Sequence, residues 1–220
     1  MIPLRGEVPS KKFPVSAIFL IALNGIIFLY QHTSLNYEYL RDVLALIPVK
    51  IFFGRDPKFY LTLLTYMFLH AGWLHFVSNM LYLWVFGNSV EDILGHMGFI
   101  YFYLLSGVGA GLIHAAMNPA SAMPTIGASG AISGILAAYL MLYPAAKIVT
   151  LIPLFIFWQV VKIPAYVFIG LWFIFQFFYG FSSLAAESNI SDVAWFAHLG
   201  GFIVGILILP VFIFIKRINR

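Results

Sequence analysis

Long apolar runs broken by short polar stretches dominate the chain, and the runs are close to the length of a membrane helix. They predict six membrane spans, at about residues 14–31, 73–89, 97–116, 127–143, 164–182 and 193–215. The runs lack the strict alternation of a lipid-facing barrel strand, so the expected class is an all-α membrane protein, a six-helix bundle. The longest polar stretch, about residues 32–60, carries Glu38, Arg41, Asp42, Lys50, Arg55, Asp56 and Lys58. It also holds Leu44, Ile47, Ile51, Phe52 and Phe53, which predicts an outer loop packed on or dipping into the bilayer surface. Residues 59–70 read as a partly buried entry segment. Residues 118–126 read as a small-residue loop with Pro119 and Pro124. Segment 148–161 is apolar but short, contains Pro153 and lies between Lys147 and Lys162. It is expected to lie along the cytoplasmic interface without crossing.

Composition strengthens the membrane reading. Of 220 residues 62% are hydrophobic and 9% charged, against roughly 45–50% and 25% in soluble domains. Too few charges remain to coat a soluble surface, so residues 1–220 are expected to form one integral-membrane domain in contact with the lipid bilayer. The net charge of +4 matters less than its placement. Arg5, Lys11 and Lys12 precede the first span, and Lys216, Arg217 and Arg220 follow the last. Basic residues favour the cytoplasmic side, so both termini are expected there. The basic ends read as membrane stop signals and imply no nucleic-acid partner. With no extra soluble domain and no organelle transit segment visible, a bacterial or archaeal plasma membrane is expected. The chain has no cysteine, which excludes disulfides, thiol nucleophiles and cysteine-held metals.

Polar groups inside spans are costly and point to function. All acidic residues fall in loops or near span ends, which argues against a proton-coupled carrier and an aspartyl protease. The H-E-x-x-H zinc pattern is absent, and the five-residue spacing of His70 and His75 suggests diverging faces, so no metal or other cofactor is expected. The polar residues that stand out are His75, Asn79, Ser129, Ser133 and His198. His75 and Asn79 are four apart and share a helix face. Ser129 opens the fourth span and His198 lies near the start of the sixth. With alternating span directions, His75, Ser129 and His198 all fall at the outer end of the membrane. A serine hydroxyl becomes a nucleophile when a histidine accepts its proton. The oxyanion formed by attack on a peptide carbonyl needs fixed donors, which His75, Asn79 and the Ser129 N–H can supply. With no carboxylate to orient His198, the unit would be a dyad. Gly130 with Gly134 and Gly201 with Gly205 form small-residue faces that let spans four and six approach closely.

At these residues the chain resembles the rhomboid family of intramembrane serine proteases. The resemblance rests on His70-Ala71-Gly72-Trp73-Leu74-His75 with Asn79 and Met80, on Gly127-Ala128-Ser129-Gly130, and on Ala197-His198-Leu199-Gly200-Gly201 with Gly205. It implies Ser129 as nucleophile, His198 as general base, and His75 with Asn79 in the oxyanion hole. It also implies a structural hydrogen-bonding role for His70, a cap formed by loop 183–192, and a fifth span on the side where a substrate helix approaches. Substrates implied are single-pass membrane proteins. Where many relatives carry a Trp-Arg pair this chain has Phe59-Tyr60-Leu61, so its first outer loop is expected to pack differently. The competing readings are a catalytically inactive relative that binds membrane clients and a small channel or transporter. A channel would need polar residues along a complete path, whereas here they cluster at one end.

Overall fold

The structure, a computed structural model, describes residues 1–8, 11–33, 37–154, 157–185 and 194–218. In chain order it contains β1 (Ile2–Gly6), α1 (Val15–Thr33), α2 (Tyr37–Leu44), α3 (Pro48–Phe53), a 3-10 turn (Pro57–Leu61), α4 (Thr62–Thr65), a second 3-10 turn (Tyr66–Phe68), α5 (Trp73–Leu94), α6 (His96–Met117), α7 (Ser129–Leu142), β2 (Lys147–Leu154), β3 (Phe157–Pro164), α8 (Ala165–Ala185) and α9 (Trp195–Ile218). The six long helices fall where the six apolar runs lie. Three of them, α1, α6 and α9, are long and apolar enough to cross a membrane.

The all-α class needs correction. β1, β2 and β3 form a three-stranded antiparallel sheet. Segment 148–161, expected as an interfacial stretch, is most of its central and edge strands. Ile148 pairs with Ile163, Thr150 with Val161 and Leu151 with Val160, in a register running from Lys147↔Pro164 to Leu154↔Phe157. β-branched side chains suit a pleated surface better than a helix, and that was the missed signal. Pro153 is tolerated because β1 covers β2 only as far as Leu151. Glu7, just after β1, is tied to β3 by a 2.6 Å ion pair with Lys162. The Lys162 ammonium holds the Glu7 carboxyl below the usual carboxylate range.

α7 is the axis of the bundle. Residues Gly130 to Tyr139 are all buried, although the helix has only 14 residues. Helices close in on it because glycines face one another. A side-chain carbon at Gly201 on α9 would strike the Gly130 carbonyl of α7, and one at Gly205 would lie 2.6 Å from the Gly134 backbone. On α6, a carbon at Gly107 would lie 3.2 Å from Ala131. Removing side chains at these points lets backbones approach and substitutes dispersion contacts for the hydrophobic drive that lipid cannot supply.

The end of the bundle remote from Ser129 is closed by polar contacts. Glu91, near the end of α5, is 2% exposed and accepts the Ser16 and Ala17 N–H groups at 2.8 Å each. It thus satisfies two orphan donors at the start of α1 and opposes the positive end of its dipole. His96 reaches the same carboxylate at 2.6 Å. Gly95, with φ of 76°, makes the tight turn between α5 and α6. Lys11 N–H donates to Asp92 at 2.7 Å, and the Lys216 ammonium bonds the Asp92 and Ile93 carbonyls. The two ends of the chain therefore meet at one end of the bundle.

The first long loop also differs from expectation. Leu46, Ile47 and Ile51 are buried in the protein, while Phe52 and Phe53 remain exposed. Leu46 exchanges two backbone hydrogen bonds with Thr125, at 3.0 and 2.8 Å, which fastens this loop to the one preceding α7.

Candidate active site

Ser129 is the first residue of α7, and the approach to it is built from several directions. Thr125 is held by Leu46 and lies 2.9 Å from His114 Nε2, a partner the sequence did not reveal for that histidine. The Gly127 N–H donates to the Tyr66 carbonyl at 2.9 Å. The Tyr66 hydroxyl donates to the Gly107 carbonyl at 2.8 Å, tying the entry segment to α6. Gly127 has φ of 130°, a conformation other residues resist. A side-chain carbon there would lie 2.7 Å from His75 Nε2 and 3.6 Å from Ser129 Oγ. Gly127 thus leaves the space in which the His75 ring edge comes beside the serine.

Ser129 Oγ and His198 Nε2 are hydrogen-bonded at 2.8 Å. Both side chains are half-buried, so the pair is held by the bundle yet remains reachable. His198 lies on the first turns of α9, where the glycine contacts with α7 set the separation. At its other nitrogen, His198 Nδ1 meets Gln176 Oε1 of α8 at 2.6 Å. The ring is flanked by Trp172 of α8 at 6.0 Å between centroids and by Trp195 of α9 at 6.1 Å. Tyr179 stacks on Trp195 at 5.0 Å. Trp172 and Trp195, which carried no functional reading in the sequence, are packing partners of His198.

The donors expected for an oxyanion lie on and around α5. Asn79 is buried, and its Nδ2 has no hydrogen-bond partner among the described residues. An unspent buried donor is costly and calls for an explanation. The Ser129 N–H belongs to the first turn of α7, where backbone donors have no intrahelical acceptor. Ser133, one turn on, donates to the Ser129 carbonyl at 2.6 Å and plays no direct part in the pair.

His70 is 1% exposed. Its peptide is clamped by Gln31 of α1, which donates to the His70 carbonyl at 2.9 Å and accepts its N–H at 3.1 Å. The hydrogen bonds between His70 and Gln31 therefore run through the His70 backbone. The ring packs edge-on to His75 at 5.2 Å between centroids. The two histidines do not diverge, because His70 precedes α5 and helical spacing does not apply to it.

Three buried in-span amides escaped the sequence reading: Asn24 and Gln31 of α1 and Gln176 of α8. Asn24 and Gln176 each stand in an apolar run, and that cost was the signal available. Of the expected cap loop, residues 186–192 lie outside the described residues.

The fold and this geometry define a class: a mostly helical membrane protein with a helix-terminal serine hydrogen-bonded to a histidine on a neighbouring helix. The chain belongs to the rhomboid family, for the model of the Rhomboid domain matches residues 57–215. It is 32% identical over 145 residues to Rhomboid protein 1, mitochondrial, of Saccharomyces cerevisiae, covering 64% of this chain and 38% of that protein. It is 42% identical over 73 residues to Rhomboid-like protein 11, chloroplastic, of Arabidopsis thaliana, covering 33% and 26%. It is 30% identical over 145 residues to the presenilin-associated rhomboid-like protein, mitochondrial, of Rattus norvegicus, covering 63% and 36%. The matches span less than two fifths of each of these relatives. These relatives are named as mitochondrial and chloroplastic proteins, which overturns the expectation of a bacterial or archaeal plasma membrane. Composition had no bearing on compartment, since any bilayer imposes the same apolar demand.

Proposed function

We propose that this chain is an intramembrane serine endopeptidase that hydrolyses peptide bonds in or near transmembrane segments of single-pass membrane proteins. The observation that carries the reading is the 2.8 Å hydrogen bond from Ser129 Oγ to His198 Nε2. In the proposed reaction His198 takes the serine proton as Oγ attacks the carbonyl, and returns it to the leaving amine. The Ser129 N–H, the Asn79 amide and the His75 ring supply hydrogen bonds to the tetrahedral oxyanion. Water then repeats the cycle on the acyl-enzyme. No metal or other cofactor takes part.

Six membrane crossings, with both ends on the one face that retains basic residues, form part of this proposal. The contacts of Lys11 and Lys216 with the end of α5 support an even number of crossings. Ser129 and His198 then lie toward the opposite face.

A fluorophosphonate probe tests the reading on detergent-solubilised protein. The expected result is label on the wild type and none on Ser129→Ala or His198→Ala. Folded wild-type protein that takes no label would favour an inactive client-binding relative instead.

A further inference from the structure

We infer that Gln176 is a positioning residue that sets the tautomer and orientation of His198, acting from α8 on the ring nitrogen remote from Ser129. The inference rests on the Ser129–His198 reading above and extends it.

The argument starts from what a histidine base requires. To accept a proton from Ser129, Nε2 must be unprotonated, so a neutral ring must carry its hydrogen on Nδ1. That N–H needs an acceptor, and an unpaired one would let the ring take the opposite tautomer or turn away. In serine hydrolases that use a triad, a carboxylate fills this place. Here Gln176 Oε1 lies 2.6 Å from Nδ1 while Ser129 Oγ lies 2.8 Å from Nε2. An amide oxygen can only accept, so with Oε1 facing it Nδ1 must donate, and Nε2 is left free for the serine.

The surroundings favour this role over simple helix packing. Gln176 is 8% exposed and sits in an apolar helix, where an amide is expensive without a polar partner. Its oxygen is directed to the one nitrogen of His198 that Ser129 does not use. No carboxylate among the described residues hydrogen-bonds to His198. The titratable groups that act on it electrically are His75 from α5 and His114 from α6, neither an anion. Trp172 and Trp195 restrain the ring plane but offer Nδ1 no acceptor.

An amide differs from a carboxylate in a way that can be measured. It orients the ring without stabilising the imidazolium, so a carboxylate in its place should extend protonation of His198 to higher pH. The test is the second-order rate of fluorophosphonate labelling of full-length protein from pH 5 to 9, for wild type, Gln176→Leu and Gln176→Glu. Thermal unfolding in the same detergent checks the fold. Gln176→Leu should label about ten- to a hundred-fold more slowly while remaining folded. Gln176→Glu should label at high pH, with the acid limb of its rate profile moved upward by about one unit or more. A side chain at 176 that did not face Nδ1 would not move that limb. Wild-type rates in folded Gln176→Leu, or an unmoved acid limb in Gln176→Glu, would overturn the role of Gln176 and leave the Ser129–His198 pair standing. If Gln176→Leu does not fold, the acid limb of Gln176→Glu decides. An unlabelled wild type would remove the dyad reading and this inference with it.

Discussion

At the residue scale, Asn79 offers the clearest separation of function from stability. Its Nδ2 is buried without a partner in the resting molecule. A group kept for folding would be expected to spend its hydrogen bonds, whereas one kept for an oxyanion must hold a donor in reserve. Asn79→Ala should therefore leave the unfolding temperature unchanged or raise it, while slowing peptide-bond cleavage by roughly a hundred- to a thousand-fold. Equal losses of stability and activity would assign Asn79 to helix contact instead. The site was unevenly legible in the sequence for a related reason. His75, Asn79, Ser129 and His198 stood out because local spacing and flanking glycines gave each a place. Gln176 did not, because its meaning lies wholly in a partner 22 residues away on another helix. A lone amide in an apolar run signals cost without naming the group it serves.

At the scale of elements, the decisive contact joins α7 and α9. A side-chain carbon at Gly201 would strike the Gly130 carbonyl oxygen, and backbone cannot rotate aside as a side chain can. Gly201→Ala must then push α9 from α7, and the same displacement draws His198 from Ser129. The expected outcome is destabilisation of about 1–3 kcal/mol with loss of labelling at Ser129. Gly170→Ala on α8 is the matched control, since a carbon there meets nothing within 4 Å. It should retain both label and stability, and loss in both variants alike would refute the contact argument. The long helices were readable because lipid imposes length and apolarity on every span. The sheet was not, because an apolar run of eight residues satisfies a buried strand and an interfacial stretch equally well. What distinguishes them is pairing, which brings β1 against β2 from more than 140 residues away.

At the scale of the molecule, the two ends of the bundle differ in construction. One holds Gly127, Ser129 and the loops joined at Leu46 and Thr125. The other holds the sheet, the buried Glu91 and the meeting of Lys11 and Lys216 at Asp92. α5 runs from His75 at the first end to Glu91 at the second, so the sheet lies a full helix length from the serine. Basic residues are unequally divided as well: Arg5, Lys11, Lys12, Lys147, Lys162, Lys216 and Arg217 mark the sheet end, against Arg41, Lys50, Arg55 and Lys58 at the site end. Under the proposed six-crossing arrangement, that asymmetry would put the sheet end on the side that retains basic residues. The absence of cysteine makes this directly measurable, since any introduced thiol is unique. Ala120→Cys, in the exposed loop before α7, and Gln159→Cys, on exposed β3, place one thiol at each end. In sealed vesicles of a single orientation, a membrane-impermeant maleimide should reach one of the two and reach the other only after permeabilisation. Labelling of both from the same side would mean that the serine and the sheet face one compartment, and the six-crossing arrangement would have to be abandoned.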